Sequence, residues 1–554
     1  MSAPVASTNS AASKPPGHDI FCTPENSDFV SKVPYQSLSK TDHEIRLLKI
    51  LPDSGSGFVE CELLPAVSLA TVHNKYLALS YCAGSAKNTK PIKVNGVNSN
   101  VFANLQHALA CARHYWESHA ELPEFLLWVD QICINQFDVA ERSHQVGFMR
   151  DIYKDAKRTL ICLSTSETNG DGMRWLTKPS VRAAQMITEE GADIFTKELE
   201  TEQFQKGLAR FCDILASPWW RRAWVFQEFM VSTHATFLYG KYAMPHHYFD
   251  EIITETCLRL TIANEYSKDE LKPYLSRIQL AQINPLYFFS SNAHDLLAAK
   301  RQDPVPSDLE SLLSYTEKFR ATDERDIIYS VLGLASPGYG ITPDYSPGND
   351  MRKLLVETTK KIITFKDSLS VLSLLSPDIG PADQRGLLPS WVVDWHDPIC
   401  LPTKQHWDTK RPAIGYFAEH RIIAGSLDAS FVQLPPPERP ETLITTLQVW
   451  ALRVETNFKT AIQPEGLKGQ YEGSQHHEIE TPLRVESDKE LWILCGARDP
   501  FLLSRYAHGY RIFATGRWIR ILSKTEGVTE FSEFMDDQGV YDTNKMDWKK
   551  ITIF

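Results

Sequence analysis

The stretch from Phe125 to Leu163, FLLWVDQICINQFDVAERSHQVGFMRDIYKDAKRTLICL, constrains the fold of this chain more than any other. Phe125–Val129 is a continuous apolar run of aromatic and branched residues that stops at Asp130. A run without polar alternation needs cover on both faces. It suits a buried parallel strand that delivers a carboxylate at its carboxyl end. A loop, QICINQF, follows. Asp138 then stands where a helix N-cap belongs, and Glu141 three residues on completes a capping box. Val139, Val146, Met149, Ile152, Tyr153 and Ala156 recur mostly at helical spacing, which makes one helix face apolar. Thr159–Leu163 is a second buried-strand pattern. The whole is a strand–loop–helix–strand unit of parallel α/β type, with its polar side chains gathered in the first crossover.

The flanking sequence extends this pattern. Residues 1–40 are rich in Ser, Ala, Pro and Asn, have little periodicity, and read as a disordered tail. His43–Leu51 and Phe58–Leu64 read as paired strands around Ser54-Gly-Ser-Gly57. Tyr76–Tyr81 is a short apolar strand followed by the small-residue loop Cys82–Thr89. Asn95-Gly96 marks a type I′ hairpin turn, since both residues accept positive φ. A helix is expected over Phe102–Tyr115. Ser217-Pro218 opens another, with Ser as N-cap and Pro at the first helical position, running apolar through Trp219, Trp220, Trp224, Phe226 and Met230. Thr236–Tyr239 closes the domain. The expected organisation is a domain over residues 41–240, a mainly helical region over 241–335 opened in part by a capping box at Ser307–Glu310, and an irregular α+β region over 336–554. Strands are expected there at Leu491–Cys495 and Tyr510–Thr515.

A chain of 554 residues is long enough for several domains and a large core. Its net charge of −11, with no Lys/Arg-rich run, argues against nucleic acid as a partner. The ten cysteines show no C-x-x-C and no framework spacing, which suggests reduced thiols and no metal site. No stretch approaches the roughly 18 consecutive apolar residues of a membrane span, and no leader pattern opens the chain, so a cytoplasmic location is expected.

Asp130, Cys133-Ile134-Asn135-Gln136, Glu141-Arg142, Gln145, Met149 and Ile152-Tyr153 together resemble the central signature of the fungal heterokaryon-incompatibility (HET) domain. Tyr76-Leu-Ala-Leu-Ser-Tyr81 before it and Trp219-Trp-Arg-Arg-Ala-Trp-Val-Phe-Gln-Glu228 after it resemble that domain's other two blocks, in the same order. The motif core spans residues 76–229. The family's Ser-Tyr-x-Trp-Gly departs here, with Ala83 at the tryptophan position before Gly84. The resemblance implies non-self recognition between fused fungal cells, a cell-death outcome, and a partner protein or allele product. A more distant resemblance runs to Toll/interleukin-1-receptor-like (TIR) domains, through Trp224-x-x-x-Glu228 late in a parallel α/β pattern. It implies a TIR-like, Rossmann-like sheet flanked by helices.

In enzymatic TIR domains that glutamate cleaves NAD, so the resemblance makes Glu228 the candidate catalytic residue. NAD would be the substrate, and no resident cofactor is implied. Breaking the nicotinamide–ribose bond develops positive charge on the ribose, which one carboxylate can stabilise. Ser80, Tyr81, Gly84, Asp130 and Trp224 are the candidate NAD-contacting residues: a small-residue loop for phosphates, and a carboxylate at the end of a parallel strand, where ligands of open α/β sheets bind. Two plainer readings stay open. Glu228 can pair with Arg222 or Arg221 and hold a tryptophan-rich helix, and the domain can act by self-association as a homo-oligomer without catalysis. Glu141 is read as a capping residue ion-paired with Arg142. Cys133 is read as a buried, inert thiol.

Overall fold

The computed structural model describes residues 26–33, 35–119, 124–177, 201–255, 292–301, 307–375, 388–395, 428–454, 460–461, 469–472, 477–481, 489–497, 501–515, 517–521 and 548–554. They fall into two compact units. The first comprises residues up to Ser307 with Lys318–Leu334 and Thr342–Ser346; the second comprises Asp308–Glu317, Ala335–Ile341 and Pro347–Phe554.

In the first unit the chain runs α1 (Ser27–Lys32), β1 (Glu44–Ile45), β2 (Leu48–Ile50), β3 (Glu60–Leu63), β4 (Val67–Ser68), β5 (Leu77–Tyr81), β6 (Thr89–Val94), β7 (Val97–Phe102) and α2 (Ala103–Glu117). It continues through β8 (Phe125–Trp128), α3 (Asp130–Cys133), α4 (Val139–Gly147), α5 (Met149–Asp155), β9 (Arg158–Cys162), α6 (Asp171–Leu176) and α7 (Glu202–Leu215). It ends with α8 (Val225–Val231), β10 (Ala235–Tyr239) and β11 (Tyr242–Pro245), after which 246–255 and Asn292–Arg301 are helical.

Nine strands make one sheet in the order β11-β10-β9-β5-β8-β2-β3-β6-β7. The centre is parallel, as expected: β10 pairs with β9, β9 with β5, and β5 with β8, all in parallel register. All five residues of β5 are buried, which is why this strand shows no polar alternation. The sheet as a whole is mixed, not purely parallel. β2 and β3 form the expected antiparallel hairpin and add to β8 from its outer side, and β10–β11 turns back at the other edge. The β6–β7 hairpin carries Asn95 at φ 51° and Gly96 at φ 77°, the positive angles of its two-residue turn.

Connectivity decides where a ligand can enter. From β5 the chain passes through α2 to β8 on one side; from β8 it returns to β9 on the other. At the carboxyl ends of β5 and β9 the chain therefore departs in opposite directions, the switch point at which parallel α/β sheets open a crevice.

Several local expectations are revised. The stretch expected to be a loose tail is held in place from residue 26: Phe29 is buried, Asn26 Oδ1 accepts the Asn100 N–H (2.7 Å), and the Tyr35 hydroxyl donates to the Ile132 carbonyl (2.9 Å). The helix begun at Asp138 breaks at Phe148, which stacks on His43 with ring centroids 4.9 Å apart. Asp138 caps α4 as expected, accepting from Ala140 N and Glu141 N. Glu141, however, neither closes a capping box nor pairs with Arg142. Its carboxylate takes a two-pronged grip from Arg46, at 2.7 and 3.0 Å, and accepts the Asn135 N–H at 2.7 Å. Arg142 pairs with Asp323 at 3.4 Å and lies over the Tyr345 ring.

In the second unit, Asp350 caps the helix Met351–Lys366 through the Lys353 N–H, and Asp308, one residue later than expected, caps Leu309–Ser314 through Ser311 N. In the region expected to be irregular α+β, the helix Met351–Lys366 is followed by strands, which are the only regular elements among the described residues beyond 428. Ile444–Val454 pairs on one side with Lys489–Leu494 and on the other with Trp548–Ile553. That sheet continues through Phe501–Tyr506 and Gly509–Thr515, which meets Trp548–Ile553 at Tyr510, so five strands close into a barrel-like ring. Ser430–Leu434 lies outside the ring, on Ile444–Val454. A second sheet joins Thr460–Ala461, Gly469–Glu472, His477–Thr481 and Arg517–Ile521. No helix among the described residues is long and apolar enough to cross a membrane.

The Arg46–Glu141 pair is buried, so truncating one partner strands the other charge. Glu141→Ala is expected to destabilise the first unit by about 3–5 kcal/mol. Glu141→Gln, which keeps an acceptor for Asn135 N–H, is expected to cost less, and thermal melts of the two variants check the order.

Candidate functional site

The sheet delivers three of the expected residues to one place. Ser80 and Tyr81 end β5, and Asp130 starts the short turn of helix after β8. The fourth, Glu228, comes from α8, and the way α8 begins is what the sequence pattern hid. Ser217 caps as expected, accepting from Trp219 N, but Pro218–Arg221 is one turn of 3-10 helix, not the start of a long α-helix. Arg222 is extended (φ −76°, ψ 131°), and its strand-like backbone bridges Arg320: Ala223 N donates to Arg320 O at 3.0 Å. Helix resumes at Val225.

That break, Arg222–Trp224, points the Arg222 guanidinium into the gap between strands and helix. Its Nη2 donates to Asp130 Oδ2 at 2.9 Å, its Nη1 donates to the Tyr81 carbonyl at 2.7 Å, and Nη1 lies 3.2 Å from Glu228 Oε1. The other Glu228 oxygen accepts from the Ser80 hydroxyl. The Ser80 oxygen in turn accepts the Trp219 indole N–H at 2.7 Å. Asp130 Oδ1 accepts the Gln131 N–H (2.7 Å), and Gln136 donates to the Asp130 carbonyl (2.8 Å), so the loop after β8 closes on itself.

The electrostatics follow from burial. The Glu228 residue is 1% exposed, and desolvation pushes its carboxyl above the ordinary carboxylate range; Arg222 and the Ser80 hydroxyl pull it back, while Asp130 adds to the rise. Burial also works against the Arg222 charge, but Glu228 and Asp130 outweigh it and the guanidinium is held more firmly protonated. The Tyr81 and Tyr153 phenols, both buried, are pushed far up, chiefly by desolvation. Asp130 is the accessible member, with a side chain 25% exposed.

Two expected residues stand outside the network. Trp224 is the residue before α8, and its side chain lies beside Asp326. Gly84 has φ +80°, and a Cβ there would lie 2.6 Å from Asn104 Nδ2. That amide donates to the Cys82 carbonyl at 2.9 Å and ties the loop to the start of α2. Cys133 is fully buried and its thiol is pushed up to about 12, first by burial, as an inert thiol should be. Asn135 and Gln136 hydrogen-bond within their own loop. Trp219 and the bridging role of Arg222 were not singled out as site features; the arginine pair ahead of Glu228 was their signal.

What the fold and network define is an α/β domain whose core is locked by one arginine shared between two carboxylates. Residues 76–228 match the model of the family described as heterokaryon incompatibility protein (HET), so this stretch of the chain is a HET domain. It is similar to "Heterokaryon incompatibility protein 6, OR allele" of Neurospora crassa, 27% identical over 371 residues, which is 58% of this chain and 54% of the relative. The match thus spans about half the length of that relative. No solved structure matches.

Removing the shared cation leaves two carboxylates and the Tyr81 carbonyl without it. Arg222→Ala is therefore expected to destabilise the first unit by about 3–5 kcal/mol, read from chemical unfolding followed by tryptophan fluorescence. Glu228 carries the pH signature. A carboxyl raised on folding contributes stability in acid that is lost as pH climbs from the ordinary value of 4.5 through its raised folded value. Glu228→Gln removes that dependence. Melting curves across this range should show wild type losing ground to the variant as pH rises.

Proposed function

We propose that this protein acts in heterokaryon incompatibility, the recognition of non-self when fungal cells fuse, and that its HET domain is a non-catalytic signalling module whose output is cell death. The name of the Neurospora relative supports the biological role. The burial of Glu228 supports the absence of catalysis. At 1% exposure, with one oxygen taken by Ser80 and the other facing Arg222, this carboxylate has no surface to offer a ribose. A group that stabilises an oxocarbenium ion must touch it. The buried pair instead does what such pairs do best, setting one arrangement of strand ends and helix. The partner is then the product of an incompatible allele, and signalling proceeds through protein contacts, self-association among them.

One observation favours hydrolysis of NAD as the second reading. Glu228 and Asp130 do meet, on a single guanidinium, at the carboxyl edge of the parallel strands where ligands of such sheets bind. Turnover by this route requires Arg222 to release Glu228. The two readings part on one substitution. Glu228→Gln, shown by its melting curve to be folded, is expected to keep full death-inducing activity when expressed in fungal cells. Concentrated wild-type protein incubated with NAD is expected to release no nicotinamide. Nicotinamide release by wild type and its loss in Glu228→Gln, together with loss of killing, would replace the module with the hydrolase.

A further inference from the structure

A second cluster lies at the same edge of the sheet, and nothing in the preceding proposal uses it. His107 and Cys111 are one turn apart on α2, on the side facing the end of β9. Cys162 is the last residue of β9, paired with Tyr81 of β5, so it stands at the switch point described above. The Nε2 of His107 and the two sulfurs all lie within 4.8 Å of one another, and all three residues are buried. His107 Nε2 and Cys111 Sγ are 3.4 Å apart. Ser164, just past β9, completes the surroundings: its hydroxyl oxygen accepts the Gly240 N–H at 3.1 Å, lies 2.8 Å from His107 Nε2, and is 3.8 Å from Cys162 Sγ.

We propose that His107, Cys111 and Cys162 are three protein ligands of a zinc site whose fourth position faces the adjoining cavity. Two thiols and one imidazole are the donor set that zinc takes in open, three-ligand centres. With Zn–S near 2.3 Å and Zn–N near 2.0–2.1 Å, tetrahedral donors sit roughly 3.6–3.8 Å apart. The cluster needs small side-chain movements to reach that spacing, with no rebuilding of backbone. Other buried thiols of the domain, Cys61 and Cys133, belong to no such His/Cys/Asp/Glu cluster among the described residues.

The cavity gives the site an entrance. It measures about 850 Å³ and is walled by α2 through His107, Ala110, Cys111 and His114, and by the segments that leave β9 and β10. Two of the three donors thus line a cleft at the carboxyl ends of parallel strands, the position where such sheets bind ligands. A metal held there by three side chains takes water or an incoming oxygen donor as its fourth partner. The sequence carried a faint trace of this in the His-x-x-x-Cys spacing of 107 and 111. The third ligand arrives from a strand distant in the chain, which is why cysteine spacing alone showed no metal pattern.

The test uses the full chain. Metal-stripped protein is loaded with one equivalent of zinc, desalted, and its metal content measured; a second sample is titrated with cobalt(II). About one zinc per chain should be retained, and cobalt should give the strong near-ultraviolet thiolate-to-metal band. Zinc should also shield Cys111 and Cys162, identified by peptide mass spectrometry, from alkylation after brief denaturant exposure, a readout that needs no variant. Cys111→Ser and Cys162→Ser should lose the band, while Cys61→Ser keeps it. Absence of the band in wild type, shielding of other cysteines, or a band surviving the double variant Cys111→Ser/Cys162→Ser would each overturn the assignment.

Discussion

One guanidinium holds the first unit's strand ends to α8. Arg222 binds Asp130 after β8, the carbonyl of Tyr81 at the end of β5, and Glu228 on α8. These groups come from three separate motifs of the chain, yet each is left half-satisfied without the arginine. The desolvation of a buried charge is large, so the arrangement is stable only when every partner is present. This explains why the helix gives up its regular path at Arg222. An uninterrupted helix from Pro218 to Val231 would keep more backbone hydrogen bonds but would carry the side chain elsewhere. The backbone bond from Ala223 to Arg320 replaces part of what the break removes.

The carboxyl edge of the sheet thus has two different faces. On the β5–β8 side it is sealed by the arginine network and by Trp219, whose indole donates to Ser80. Beside β9 and β10 it opens into a cavity walled by α2. The sealed side behaves as a structural lock, in which accessible chemistry is limited to Asp130. The open side carries the softer donors, two sulfurs and an imidazole, within reach of one another. The proposed signalling module would have use for both: the lock keeps strand ends and helices in one arrangement, and a metal at the switch point would make that arrangement depend on its occupancy.

Much of the fold was legible because its signals are local. Apolar runs without alternation marked β5, β8 and β9 as buried parallel strands, and Asn95-Gly96 marked its hairpin through the φ angles those residues accept. Asp138 and Ser217 announced helix starts, since a cap is made within three residues. Ser80, Asp130 and Glu228 were candidates together through strand-end position and the TIR-like resemblance, and in the structure they gather around Arg222, Ser80 through Glu228. Their mode of meeting was not legible. The breaks at Phe148 and Arg222 lie inside stretches of sound helical periodicity, and contacts from distant residues, His43 and Arg320, decide them.

The amino-acid order by itself determined the central strands β5, β8 and β9, the β6–β7 hairpin and where several helices begin, because hydrophobic period and capping act over a few residues. Tertiary structure alone decided who neutralises whom. Glu141 is one turn from Asp138 and adjacent to Arg142, yet its carboxylate belongs to Arg46. Glu228 could have faced a cleft or a cation, and it faces Arg222. Charge pairing in a buried interior is settled by which groups lose water together, and that is a property of packing between segments far apart along the chain.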